Sequence, residues 1–119
     1  MSQQMEAAAV QRSDWFDIAN IDQIVPGTGA AARLGKEQVA IFNTGDGIFA
    51  VQNHDPFSGA NVLSRGIVGD IGGRLVVASP VYKQHFCLRS GECLEDASVR
   101  LQTYAVTVRD SRVWIAAGE

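Results

Sequence analysis

The chain has 119 residues, 46% of them hydrophobic and 19% charged, with a net charge of −3. That length and balance suit one globular domain with a real core, and the ten basic residues are scattered, which leaves no patch for nucleic acid. No apolar stretch approaches the roughly 20 residues of a membrane span. The opening segment, MSQQMEAAAVQRSDW, lacks the basic and then apolar regions of a secretory signal. Residues 1–12 therefore read as a flexible tail ahead of one domain over 13–119. A cytoplasmic location is expected, with Cys87 and Cys93 reduced.

Trp15-Phe16-Asp17-Ile18 is a first strand by its aromatic and branched residues. Asn20 is placed to cap a short helical turn over Ile21–Ile24 that Pro26-Gly27 ends. Ala30–Leu34 and Gln38–Asn43 form a hairpin about Gly35-Lys36-Glu37. After a turn at Thr44-Gly45-Asp46-Gly47, Ile48–Gln52 leads into the loop Asn53-His54-Asp55-Pro56. Gly59–Leu63 and Gly66–Asp70 read as irregular chain with short extended pieces. Gly72-Gly73 then turns into the apolar strand Arg74–Ala78, which leads into a second loop, Ser79-Pro80-Val81-Tyr82. A hairpin over Phe86–Leu94 follows. Thr103–Arg109 and Arg112–Ala116 alternate in hydrophobicity on both sides of Asp110-Ser111, which marks a final hairpin. The fold class is all-β: about ten short antiparallel strands in a sandwich or barrel assembly.

Residue chemistry alone leaves several options open. His54, His85, Cys87 and Cys93 could suggest zinc, but Cys-x5-Cys is not a usual knuckle, and four closed ligands are needed. Cys87 and Cys93 could approach across the hairpin if their Cα atoms came within about 7 Å. Ser79 lacks a G-x-S-x-G elbow, although His54 and Asp55 would come near it if the two loops met. The Gly-rich turns are not phosphate cradles.

The two loops, the strand before each and the segment Phe86-Cys87-Leu88-Arg89-Ser90-Gly91-Glu92-Cys93 together resemble the Rieske iron–sulfur domain. The resemblance implies two sheets as a base and a smaller third sheet that carries a cluster-loop subdomain of about residues 51–96. It puts the four cluster-ligand positions at Asn53, Asp55, Ser79 and Tyr82. A Rieske centre takes two cysteines on one iron and two histidines on the other, so the site is expected to be degenerate. No metal, cofactor or catalytic residue is then expected in this chain. The four residues are instead expected to bond one another and to fill the vacated volume, with Tyr82 the bulkiest.

Within that group the stretches Asn53–Ala60, Leu63–Gly69 and Ser79–Phe86 resemble the small subunits of assimilatory NADH-dependent nitrite reductases, over residues 14–117. This resemblance implies a non-catalytic subunit bound to a large one. The large one would carry FAD, sirohaem and a [4Fe–4S] cluster and reduce nitrite to ammonium. Asp55, Pro56, Phe57, Tyr82, Lys83 and Gln84 are the expected partner-binding residues, since binding groups concentrate on loops of a rigid scaffold. Two alternatives stand beside it. One is an electron carrier with an atypical [2Fe–2S] cluster on Asp55, Tyr82 and the hairpin thiols. The other is a metal-less docking module of a different oxidoreductase, such as a ring-hydroxylating system.

Overall fold

The computed structural model describes residues 15–116, so the expected tail, residues 1–12, lies outside them. Nine strands run through the described residues: β1 (Trp15–Asn20), β2 (Gly29–Leu34), β3 (Glu37–Asn43), β4 (Ile48–Gln52), β5 (Ile67–Ile71), β6 (Arg74–Ala78), β7 (His85–Cys87), β8 (Thr103–Arg109) and β9 (Arg112–Ala116). They pair as a six-stranded sheet, β1-β9-β8-β4-β3-β2, and a three-stranded sheet, β5-β6-β7. No helix among them is long and apolar enough to cross a membrane.

The two expected base sheets share one strand. The start of β8 pairs with β4 through Thr103 and Tyr104, and the rest of it, Ala105–Arg109, pairs with β9. A strand that serves two sheets in this way makes the corner of a sandwich. The separate small sheet carries the second loop through β6, whereas the first loop leaves β4 of the six-stranded sheet, so the small sheet does not carry both loops.

The core explains why β3 reads as a continuous apolar run. Val39 and Ile41 face a cluster with Ile24, Ala50, Tyr104, Val113 and Ile115. Ala40 and Phe42 face the opposite way, into a cluster with Val51, Leu63, Val77, Phe86, Leu88, Cys93 and Leu101. A strand buried on both sides loses its polar alternation. The second cluster clamps the small sheet to the large one, and each fully buried Leu, Val or Phe in it contributes about 1.5–3 kcal/mol.

Local signals hold at several places. Asn20 Oδ1 accepts from the Asp22 N–H at 2.8 Å, and Gln23 accepts from the Asn20 N–H at 2.9 Å, which closes a capping box. Asp110 and Ser111 both take positive φ, the geometry of a two-residue hairpin turn. Two expectations need correction. Glu37 is the first residue of β3, so the β2–β3 turn is Gly35-Lys36 alone. Ile67–Ile71 is a regular strand paired with β6, where irregular chain was expected. Its isoleucines face outward and its one glycine, Gly69, breaks the apolar pattern, so the usual hydrophobic signature is inverted.

Candidate functional site

β4 delivers the first loop. Asn53, 1% exposed, ties it to three segments. Its side-chain amide donates to Gln38 Oε1 at 3.1 Å and to the Asn61 carbonyl at 3.2 Å, and its Oδ1 accepts from the Ser64 N–H at 2.7 Å. Asp55 is fully buried. Its Oδ1 accepts from the Phe57 N–H at 2.9 Å, and the Phe57 ring packs 6.1 Å from that of Phe86.

β6 delivers the second loop, which is tightly closed. The Ser79 N–H donates to the Gln84 carbonyl at 2.9 Å, and the Lys83 N–H to the Ser79 carbonyl at 3.1 Å. Lys83 takes a positive φ. The Gln84 Oε1 is the one buried side-chain acceptor among the described residues that has no donor.

The loops meet at one direct side-chain bond: the buried Ser79 hydroxyl donates to Asp55 Oδ2 at 2.6 Å. Burial acts to raise the Asp55 carboxyl, but the Ser79 hydroxyl, the Phe57 N–H and the Ser58 donors outweigh it and hold the group below the ordinary carboxylate range. Asp55 is therefore an ionised strut between the loops.

Three expectations change on this geometry. Tyr82 does not fill the vacated volume, because it is 61% exposed. Asn53 does not join Asp55 and Ser79; its whole side chain is spent on Gln38, Asn61 and Ser64. Asp55 cannot be a partner contact, because no part of it reaches the surface. Of the expected contact residues, Pro56, Tyr82 and Lys83 are exposed, and Phe57 and Gln84 are half-buried.

The other candidate groups are dispersed. The His54 ring is exposed and lies 3.3 Å from Asn61 Oδ1, while Ser79 hydrogen-bonds Asp55 directly, with no imidazole between them. His85 bonds Glu95 through its ring and its N–H, at 2.6 and 2.8 Å. Phe86 stands opposite Cys93, so Cys93 shares the face of Phe86 and Cys87 points to the other face. Both thiols are free and buried. Burial acts to raise the Cys87 thiol, but hydrogen bonds from Ser90, the Arg89 backbone and Arg74 lower it to about 7. Among the described residues no three His, Cys, Asp or Glu side chains converge as a metal site. The expected ligand positions hold no thiolate or imidazole, and the Asp55–Ser79 bond closes the gap between the loops. These residues do not fit a [2Fe–2S] centre.

Residues 14–116 match the Rieske-like [2Fe-2S] domain. The class is thus a Rieske-like domain, here with an Asp55–Ser79 hydrogen bond joining its two loops. The chain is 48% identical over 103 residues to the nitrite reductase (NADH) small subunit of Escherichia coli K12, covering 85% of this chain and 95% of that protein. A crystal structure assigned as an NADH-dependent nitrite reductase small subunit from Mycobacterium tuberculosis superposes with a TM-score of 0.85 at 44% identity, covering 90% of this chain and 97% of that one. The chain belongs to the nitrite reductase small-subunit family. It is also 40% identical over 107 residues to part of the nitrite reductase [NAD(P)H] large subunit of Klebsiella oxytoca, where the match spans 90% of this chain but 11% of that protein.

Proposed function

We propose that this chain is the non-catalytic small subunit of a cytoplasmic NAD(P)H-dependent nitrite reductase in nitrate assimilation, and that it acts by binding the large subunit. The observation that carries this reading is its likeness to the E. coli small subunit along nearly its whole length. The Klebsiella large subunit supports the choice of partner, since a domain similar to this chain is built into that polypeptide.

On this reading FAD, sirohaem and the [4Fe–4S] cluster belong to the large subunit, which passes six electrons from NAD(P)H to nitrite and yields ammonium. The small subunit contributes a rigid surface. Asn53 and the Asp55–Ser79 bond hold the two loops in one arrangement, and Pro56, Phe57, Tyr82, Lys83 and Gln84 form the loop contact. Preorganisation of this kind lowers the ordering cost of association.

The test is co-purification with iron and absorbance analysis, on the lone chain and on the complex. The lone chain should be free of iron and colourless after anaerobic reconstitution with iron and sulfide. It should also bring down a sirohaem flavoprotein and raise its NADH-dependent nitrite reduction. Two irons bound per lone chain would make it an electron carrier and defeat the proposal.

A further inference from the structure

Seven large hydrophobic side chains stand exposed among the described residues, and four of them lie on one part of the molecule: Ile67 and Ile71 on β5, Val81 and Tyr82 in the second loop. The register brings the two groups together. Ile67 pairs with Ala78, the residue just before Ser79, so its side chain stands at the foot of the loop that carries Val81 and Tyr82. Ile67, Gly69 and Ile71 share the outer face of the small sheet, while Val68 packs against the core. Ile67 is 74% exposed and Ile71 43%. Single exposed isoleucines are ordinary, but two on one strand face beside an exposed tyrosine make a patch.

Among the described residues β5 is also an open edge, at the end of the order β5-β6-β7. Gly72 and Gly73 both take positive φ, 59° and 87°, which side chains resist. This is the two-residue hairpin turn, and it makes Ile71 and Arg74 a hydrogen-bonded pair. Alternation along the ladder then turns the N–H and C=O groups of Val68 and Asp70 away from β6. No backbone group of another element among the described residues bonds them.

Proteins commonly blunt such edges with cations, prolines or bulges. β1 has a register shift between Asp17 and Ala19 and an Asp17–Arg112 ion pair, and β2 carries Arg33. β5 has no cation, proline or register shift. Its single charge, Asp70, turns back to accept from the Gly73 N–H at 2.9 Å.

We propose that β5 is the docking edge for an extended segment of the large subunit, which adds to the small sheet as a fourth strand. That segment bonds the outward N–H and C=O groups of Val68 and Asp70 and seats apolar side chains against Ile67 and Ile71. The inference rests on the small-subunit reading and extends the contact from the loop tip onto the sheet edge. The Klebsiella protein indicates the occupant: there the domain and the rest of the large subunit are one polypeptide, so the surface that meets the domain is supplied by the large subunit.

Binding of the full chain to large-subunit holoenzyme is compared for wild type, the double variant Ile67→Lys/Ile71→Lys and the control Val25→Lys/Val108→Lys, which alters two exposed valines elsewhere. The β5 variant should bind at least about tenfold more weakly, as loss of two interface anchors implies. The control should match wild type, and both variants should unfold near the wild-type midpoint. In parallel, amide exchange in the wild-type complex should slow at Val68 and Asp70, a measurement that stands even where a variant folds poorly. Wild-type-like binding by the β5 variant, or unprotected Val68 and Asp70 amides in the complex, overturns the docking edge and leaves the small-subunit reading intact. Failure of the wild-type chain to bind at all overturns the reading beneath it. Self-association of the lone chain that the β5 variant abolishes assigns the edge to a second copy, and overturns the choice of partner.

Discussion

Replacing Asp55 by alanine tests the strut directly. The substitution removes the acceptor of the Ser79 hydroxyl at 2.6 Å and of the Phe57 N–H at 2.9 Å, in a site where Asp55 and Ser79 are both fully buried. Each stranded buried donor costs about 1–3 kcal/mol, and relief of the desolvated carboxylate offsets part of that. The expected loss is about 3 kcal/mol, which for a domain of this size lowers the unfolding midpoint by about 12 °C. Asp55→Asn keeps the shape and an acceptor for Phe57, and should cost about 1–2 kcal/mol. Because the Asp55 carboxyl is lowered in the folded protein, its stabilisation is present above the unfolded carboxylate value of about 4 and disappears as pH falls through the folded value. The stability gap between wild type and Asp55→Asn should therefore be full at neutral pH and close in acid. Denaturant unfolding followed by circular dichroism across that range measures both effects. An Asp55→Ala variant within about 1 kcal/mol of wild type at neutral pH, or a gap that widens in acid, would refute the buried-strut argument.

Three further outcomes follow from the same structure. Ser90→Ala removes a hydrogen bond that lowers the Cys87 thiol to about 7, so the midpoint of its thiolate absorbance should move upward; an unchanged midpoint would show that Ser90 has no part in the shift. Gly91 has a φ of +82°, and a Cβ there would lie 2.2 Å from the Leu101 carbonyl oxygen, so Gly91→Ala should destabilise by about 3 kcal/mol or more, read by thermal unfolding. Tyr104 donates to Glu37 at 2.5 Å from a largely buried position. Tyr104→Phe should cost about 1 kcal/mol in denaturant unfolding, and a neutral result would place that bond's net worth near zero.

Much of the fold was legible because its signals are local. The Asp110-Ser111 hairpin, the Asn20 cap and the two loop-bearing strands are written in turn residues and in period-2 alternation, which act over a few residues. That Asn53, Asp55, Ser79 and Tyr82 carry no thiolate or imidazole was legible for the same reason, since it is a matter of residue type. β5 was not legible, because Ile67 and Ile71 face outward and Gly66 and Gly69 interrupt the pattern; the strand exists through its ladder with β6.

The sequence by itself determined that this chain is an all-β domain of Rieske-like pattern and that Asn53, Asp55, Ser79 and Tyr82 offer neither thiolate nor imidazole, because both properties depend on residue type and short-range order. Only the tertiary structure decided how those positions are used. Asp55 and Ser79 are 24 residues apart, and their bond exists because Phe57 and Phe86 pack the loops together over one core. Tyr82 turns outward because the second loop closes on its own backbone. The faces of Cys87 and Cys93, and the open edge of β5, were decided by strand register. Each is a long-range arrangement, set by which surfaces are buried against which, and no local run of residues encodes it.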